Sequence, residues 1–407
     1  MSYVTSLRLP AYGKTSPSSP ASSTSPTTTE RSETKGAFST GRALKRERDP
    51  RLDFFRGVGM LIILLAHIPN DRWALWIPAR FGFSDATEMF VFLSGMASAI
   101  AFGTTFDRNG ASALIARTAQ RIWQIYWAHV IVFIVVVALM TAVGTAPSGN
   151  SYLGQLNLIP FIKDPGQLLA GLLTLRYVPN YFDILPMYIV ILALLPVMLF
   201  AERVHRALPF VAMVGLWLLA QFGYARFSAE PWSDRQWFLN PFGWQLLFFT
   251  GFFIMRGSIQ PPRRSRRLLA LAVLCVVATV PFAWYILLDA EPFLRRIAVD
   301  LAPLTDKTQF GLLRFVHFSA LAYIAVHVVG ERGRRLKGPI VRAVSVVGQQ
   351  SLAVFVTGMV LAQGIGIVLD AAGRGPLAEA AGNIAGFTIL IATAYLVGWF
   401  KTLPWRA

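Results

Sequence analysis

A histidine and two arginines lie in one apolar stretch near the start of this chain. Arg51, Arg56 and His67 belong to the run RLDFFRGVGMLIILLAHIPND, which carries no charge between Val58 and Ala66. In a helix, Arg56 and His67 are three turns apart, share one face and are separated by roughly 16 Å along the axis. Histidine can act as a general base near neutral pH, and the planar guanidinium of arginine binds phosphate oxygens.

This pair of side chains predicts acyl transfer from an activated donor. A base that removes a hydroxyl proton allows that oxygen to attack the carbonyl of a thioester. The separation of roughly 16 Å is comparable to the reach of a pantetheine arm, so Arg56 can hold the donor phosphates while the thioester lies beside His67. We therefore expect Arg56 and His67 to line one common cavity, with acyl-CoA as a co-substrate and no permanently bound cofactor.

Further polar groups fall at the same end of other apolar stretches. Asp85 and Glu88 open the second stretch and stand three residues apart, so both can face the interior of a bundle. We assign them to catalysis beside His67, although the same pair also fits a helix N-cap and its capping box. The remaining groups at this depth are candidate substrate-binding residues, each of which also fits a helix cap or an interfacial anchor. They are Asn180, Asp183, Trp244, Gln245, Lys307, Arg314 and His317.

Neither a metal site nor a nucleic-acid partner is expected. The sequence has no two histidines three or four residues apart, and its single cysteine, Cys275, lies in an apolar run. Zinc and other transition metals usually need such ligands. The net charge of +17 arises from Lys and Arg in short loops between apolar stretches, as the positive-inside rule describes.

The composition is that of a polytopic membrane protein whose partner is a lipid bilayer. Of 407 residues, 55% are hydrophobic and only 14% are charged. Ten apolar stretches predict an all-α membrane bundle of about ten transmembrane helices. They are approximately Leu52–His67, Asp85–Gly103, Ile122–Val143, Phe182–Phe200, Pro209–Tyr224, Asn240–Met255, Leu268–Leu288, Leu312–Gly330, Ser351–Asp370 and Asn383–Phe400.

The chain before the first stretch has a different composition. Residues 1–48 are rich in Ser, Thr and Pro and end in a basic cluster that begins at Arg42, which predicts a disordered, basic cytoplasmic tail. Residues 49–407 are predicted to form the membrane domain. Because Lys and Arg are in excess in the tail and in alternate loops, we expect both termini in the cytoplasm.

Six segments in order carry a resemblance to a known family. They are RLDFFRG followed by HIP, FGFSDATEMFVFLSG, DILPMYIV, NPFGWQLLF and DKTQFGLLRFVHFSALAY. From about Asp49 to Phe400 the chain resembles the OpgC family, within the wider acyltransferase-3 superfamily of integral-membrane acyltransferases.

The resemblance implies a ten-span enzyme of the bacterial inner membrane. Such an enzyme transfers an acyl group from cytoplasmic acyl-CoA, succinyl-CoA in the namesake, to a hydroxyl of a periplasmic or cell-envelope glucan. It also implies that His67, Arg51 and Arg56 are the residues associated with activity, Arg51 and Arg56 on the donor side. Asp53, Asp85, Glu88, Asp183 and Trp244-Gln245 match motif positions of the family.

Two other classes of function fit parts of the pattern. A transporter or flippase for a polar envelope substrate would also place charges between its spans. Broken helices in paired positions would favour transport, whereas a lone histidine facing a phosphate-binding arginine favours transfer. A membrane scaffold whose buried charges only set helix register fits worst, because the polar residues gather at one end of the spans. The leading hypothesis is a membrane O-acyltransferase with His67 as its general base.

Overall fold

The computed structural model describes residues 49–403, which are mainly helical and contain no β-strand. The all-α prediction is therefore confirmed for this range, whereas the predicted tail, residues 1–48, lies outside the described residues. The α-helices are α1 (Pro50–His67), α2 (Ala86–Ser98), α3 (Thr104–Val143), α4 (Tyr152–Gln155), α5 (Ile159–Lys163), α6 (Pro165–Leu173), α7 (Ile184–Val204), α8 (Leu208–Gln221), α9 (Pro241–Arg256), α10 (Arg266–Thr279), α11 (Tyr285–Ala290), α12 (Pro292–Asp300), α13 (Ala302–Thr305), α14 (Leu312–Val329), α15 (Pro339–Gln349), α16 (Ser351–Ala372) and α17 (Pro376–Lys401).

The ends of α1 follow from its sequence. The carboxylate of Asp49 accepts a hydrogen bond from the backbone N–H of Arg51 at 3.0 Å, and Pro50 occupies the first turn, where it leaves no donor unsatisfied. At the other end, Pro69 disfavours helical backbone at the preceding residue, and Ile68 is extended. The catalytic candidate His67 is therefore the last residue of α1.

The start of α2 is a capping box. The sequence allowed Asp85 and Glu88 to be either such a cap or a catalytic pair, and the cap is present. Asp85 accepts from the backbone N–H of Thr87 at 2.6 Å, and the Glu88 side chain accepts from the backbone N–H of Asp85 at 2.8 Å. A π-helical turn, Ala99–Gly103, joins α2 to α3. Within α3 the backbone leaves helical geometry at Gly110, where φ is +79°.

Glycines allow the central helices to pack with their backbones in close contact. A methyl group at Gly57 of α1 would collide with the carbonyl oxygen of Val344 on α15, and one at Gly95 of α2 with that of Phe248 on α9. Small residues at helix contacts are typical of membrane bundles, where packing rather than the hydrophobic effect drives association. The helices that carry the candidate site are therefore held closely by their neighbours.

Five described helical segments are long and apolar enough to cross a membrane, so the chain is a membrane protein. They are Ala86–Val143, Ile184–Val204, Leu312–Val329, Ser351–Ala372 and Pro376–Lys401. The first covers two of the ten predicted stretches. The other four stretches hold α1, α8, α9 and α10, which are shorter or carry more charge. Length and composition thus support five crossing segments among the described residues, and the number of about ten helices stays a prediction.

One predicted stretch, Leu268–Leu288, is not a single helix. In the structure α10 ends at Thr279, a 3₁₀ turn follows at Val280–Phe282, and the chain resumes as α11. Pro281 lies in that turn and has no backbone N–H to continue the helical hydrogen bonds. The apolar run therefore continues beyond the point where the helix ends.

Candidate active site

A cavity of about 920 Å³ lies where α1 ends and where α2 and α7 begin. We call it the His67 cavity. Its volume is typical of a site for a small-molecule ligand. Five of the residues predicted from the sequence line it: His67, Asp85, Asn180, Asp183 and Lys307.

His67 is oriented by a bond to its own helix. Its Nδ1 lies 2.7 Å from the carbonyl oxygen of Ile63. Because a carbonyl only accepts hydrogen bonds, Nδ1 carries the hydrogen and donates it. In the neutral imidazole, Nε2 then holds the lone pair that can accept a proton.

Asp85 and Lys307 form an ion pair on the wall of the His67 cavity. The ammonium nitrogen of Lys307 lies 2.5 Å from the Asp85 carboxylate and 5.6 Å from the centre of the Phe238 ring. Asp85 also caps α2, so its two oxygens already have partners. Asp85 therefore positions Lys307, which is partly exposed to the cavity.

Glu88, Arg314 and His317 form a buried layer behind that wall and do not line the His67 cavity. The guanidinium of Arg314 donates to the fully buried Glu88 carboxylate from Nε at 2.7 Å and from Nη2 at 2.5 Å. His317 Nδ1 lies 2.7 Å from the hydroxyl of Ser84. These three residues therefore pack behind the wall that carries Asp85. Their assignment to catalysis or substrate binding stays a prediction, and their buried positions do not favour it.

Trp244 and Gln245 also lie away from the cavity. Both are fully buried. The indole of Trp244 donates to the backbone carbonyl of Lys307 at 2.9 Å, and the amide of Gln245 donates to that of Met213 at 2.7 Å. Trp244 therefore contributes to the His67 cavity by fixing the backbone of Lys307. Gln245 links α9 to α8.

A second cavity, of about 370 Å³, contains Arg56. We call it the Arg56 cavity. Arg117, Arg121 and Gln124 of α3 also line it, and Arg56 Nη2 donates to the backbone carbonyl of Leu93 at 3.0 Å. The other predicted donor-side residue, Arg51, is outside both cavities and pairs with Asp49 at 2.6 Å.

The prediction that Arg56 and His67 line one common cavity is wrong, because an aromatic partition divides the space between them. Phe355 of α16 is part of the wall of both cavities. It stacks on Phe90 with ring centres 6.4 Å apart, and Phe90 contacts Tyr188 at the same distance. The two cavities are therefore neighbours that share one wall.

Comparison with known proteins identifies the family of this chain. Residues 48–402 match the family described as OpgC protein. The chain belongs to the OpgC family. A search of the curated proteins found no match, and neither did a search of the solved structures. OpgC membership agrees with the resemblance expected from the sequence segments.

Several residues that line the two cavities of this OpgC chain were missed by sequence reasoning, Arg121 and Tyr181 among them. The sequence pattern predicts only a loop charge at Arg121 and an interfacial anchor at Tyr181, which the structure places in the Arg56 and His67 cavities. The Tyr181 ring lies 5.1 Å from the His67 ring, centre to centre. No spacing rule could have shown this contact, because α1 and the segment before α7 are far apart in the sequence.

Arg235 is a further residue at the His67 cavity that spacing did not indicate. It pairs with Glu230 at 3.0 Å, and Glu230 also accepts from Asn157 at 2.8 Å and from Ser233 at 2.5 Å. Burial raises the pKa of Glu230, but these donors outweigh it and lower the pKa below its usual value. Arg235 also donates to the Val178 carbonyl at 2.8 Å, so the guanidinium is held firmly at the cavity.

Proposed function

We propose that this OpgC-family chain is an acyl-CoA-dependent O-acyltransferase of the bacterial inner membrane. It moves an acyl group, such as succinyl, to a hydroxyl of a periplasmic or cell-envelope glucan. The observation that carries the proposal is the His67 side chain, whose Nδ1–H is held by Ile63 while the ring lines a cavity large enough for a sugar. Membership of the acyltransferase-3 superfamily is part of this proposal.

The proposed reaction uses His67 first as a base and then as an acid. Nε2 removes the proton from the acceptor hydroxyl as that oxygen attacks the thioester carbonyl. The tetrahedral intermediate collapses, the C–S bond breaks, and the proton on Nε2 passes to the departing CoA sulfur. The products are the ester and free CoA. Lys307 lies on the same wall, where its positive charge favours the negative charge that develops on the carbonyl oxygen.

The donor side of the proposal rests on the charge of the Arg56 cavity. Arg56, Arg117 and Arg121 line it, with no acidic side chain among its lining residues in the described part of the chain. Three guanidinium groups suit a ligand with several phosphates, because each can hold oxyanions through a pair of N–H donors. We assign the CoA moiety of the donor to this cavity.

Replacing Arg121 by Ala is expected to raise the KM for acyl-CoA about tenfold or more, since a hydrogen bond between charged groups is lost. The KM for the acceptor should stay unchanged. Steady-state kinetics with each substrate varied in turn measures both values. Arg108→Ala is the matched control, because Arg108 is an exposed arginine of α3 outside the Arg56 cavity. An unchanged donor KM in Arg121→Ala would remove the CoA moiety from this cavity.

The thioester end of the pantetheine arm must pass the aromatic partition at Phe355 to reach His67. We propose that Phe355 swings aside when the donor enters, which joins the two cavities beside Ile63. Ile63 lines the His67 cavity and is 8% exposed.

Ile63→Trp is expected to slow acyl transfer at least tenfold, because the indole fills the passage, while overpacking costs only about 1–3 kcal/mol of stability. Turnover at saturating substrates and a thermal unfolding midpoint separate the two effects. Ile131→Trp on the exposed face of α3 is the control. Turnover equal to that of the control would argue against a passage beside Ile63.

The proposed membrane topology has about ten crossings with both termini in the cytoplasm. The shorter helices α1, α8, α9 and α10 then cross with the help of neighbours that cover their ends. Lys and Arg of the loops favour this orientation. It places the Arg56 cavity on the cytoplasmic side, where acyl-CoA is made, and the His67 cavity on the periplasmic side, where the glucan lies.

The experiment that tests the function is mass spectrometry of cell-envelope glycans from a deletion strain with and without the restored gene. We expect an acyl substituent that disappears on deletion and returns on restoration. Purified protein in liposomes should then transfer labelled acyl groups from acyl-CoA to the same glycan. Loss of the glycan itself from the envelope, with its acylation unchanged where it remains, would favour a transporter and overturn the proposal.

A further inference from the structure

Tyr181 occupies a backbone position that normally favours glycine. The backbone N–H of Phe182 donates to the carbonyl of Pro179 at 3.2 Å, which closes a four-residue turn with Tyr181 in its third position. Its φ is +75°, as a type II turn requires there. A side chain in this region is disfavoured by steric contact with its own backbone.

The surrounding structure holds this turn in place. The next two residues, Phe182 and Asp183, are only 3% and 4% exposed. The Asp183 carboxylate accepts from the backbone N–H of Phe238 at 2.8 Å. On the other side of the turn, Val178 donates from its backbone to the carbonyl of Ala229 at 2.8 Å. The turn is therefore fixed from both sides, and Tyr181 is held between them.

The result of this geometry is an aromatic ring beside the candidate base. The Tyr181 side chain is 38% exposed, lines the His67 cavity and lies 5.1 Å from the His67 ring, centre to centre. Residues in disfavoured backbone conformations persist where the surroundings enforce them and are concentrated at active sites. Tyrosine also buries a large, rigid surface at small cost in side-chain entropy.

Hydrogen-bonding groups adjoin the ring on the same wall. Asn180 and Arg235 line the cavity, and their side chains are linked by a hydrogen bond of 3.4 Å. The exposed ring of Phe238 also reaches the cavity. A pyranose has an apolar face of C–H groups and a rim of hydroxyls. An aromatic ring can pack against the C–H face, and the neighbouring amide and guanidinium can form hydrogen bonds with the hydroxyls.

We propose that Tyr181 is the acceptor-binding residue on which a glucose ring of the glucan stacks, so that one hydroxyl of that ring meets Nε2 of His67. This inference rests on the proposed acyl transfer and specifies its acceptor site. The ring of Tyr181 contacts the C–H face of the sugar, and Asn180 and Arg235 bind hydroxyls on its rim. In this proposal the disfavoured turn directs the Tyr181 ring towards His67.

The test measures sugar binding without acyl transfer. Titration calorimetry with glucose oligosaccharides, on purified wild-type protein without a donor, should detect binding. Tyr181→Ala and Tyr181→Gly should weaken it at least tenfold, whereas Tyr181→Phe keeps the ring and should retain it. In transfer assays, Tyr181→Ala should raise the KM for the acceptor and leave the KM for acyl-CoA unchanged.

Stability provides an independent readout of the turn. Tyr181→Gly removes the steric strain, so its thermal unfolding midpoint should equal or exceed that of wild type even as sugar binding falls. Asn70→Gly is the matched control. Asn70 is also an exposed residue with positive φ, of 55°, and lies outside the His67 cavity. It should keep full sugar binding.

The possible outcomes separate this inference from the proposed function. Wild-type oligosaccharide affinity in Tyr181→Ala overturns the inference. A lower turnover number with an unchanged acceptor KM would also overturn it, because Tyr181 would then only orient His67. Oligosaccharide binding that depends on Tyr181, in a protein that transfers no acyl group, would support the sugar site and overturn the transferase instead.

Discussion

His67→Gln is expected to lower the turnover of acyl transfer by about 10²–10⁴-fold, the range typical of removing a general base. Glutamine is close to histidine in size, and its amide can still donate to the carbonyl of Ile63. It cannot accept a proton at neutral pH. The variant should therefore keep the shape of the cavity and lose only the proton transfer.

Three measurements on His67→Gln separate catalysis from folding. Turnover should fall, oligosaccharide affinity should remain, and the thermal unfolding midpoint should stay close to wild type. His205→Gln is the control, since His205 is an exposed histidine just after α7. Full activity in His67→Gln would end the proposal that this imidazole is the base, whatever else the protein does.

Arg314→Met is expected to have the largest effect on stability. Arg314 is 8% exposed and Glu88 is 0% exposed, so the substitution leaves a carboxylate buried without its main partner. Breaking a buried ion pair from one side typically costs about 3–5 kcal/mol. Reversible unfolding in detergent, by denaturant or by heat, measures the difference.

The double variant Glu88→Gln with Arg314→Met distinguishes the lost charge from lost packing. Removing both charges should recover much of the stability, because no buried carboxylate then remains unpaired. Asp289→Asn breaks an exposed ion pair with Arg295 and should cost less than about 1 kcal/mol. If Arg314→Met costs no more than Asp289→Asn, the buried layer does not stabilise the wall that carries Asp85.

The helices could be predicted from the sequence because they depend on neighbouring residues. In lipid every backbone N–H and C=O must be satisfied within the segment, so long apolar stretches become helices. Asp49 and Pro50 at the start of α1, and Asp85 with Glu88 at the start of α2, are local signals, and the structure has both caps. Hydropathy was less informative at Leu268–Leu288, where Pro281 ends the helix inside the apolar run.

The candidate site was predictable only in part. His67 and Asp85 could be placed at one level because each stands at the end of a helix. The sequence could not show that Arg314 faces Glu88, or that Trp244 is fully buried, since these positions depend on how helices turn against one another.

The sequence by itself determined that this is an all-α membrane protein of the OpgC family with a histidine at the end of its first helix. Apolar length, capping residues and motif order are properties of contiguous residues, so they can be read along the chain. Only the tertiary structure decided which distant side chains meet. Asp85 pairs with Lys307 across 222 positions, Tyr181 lies against His67, and Phe355 divides the expected single cavity into two. Each of these contacts depends on the packing angles of separate helices, which no local pattern encodes.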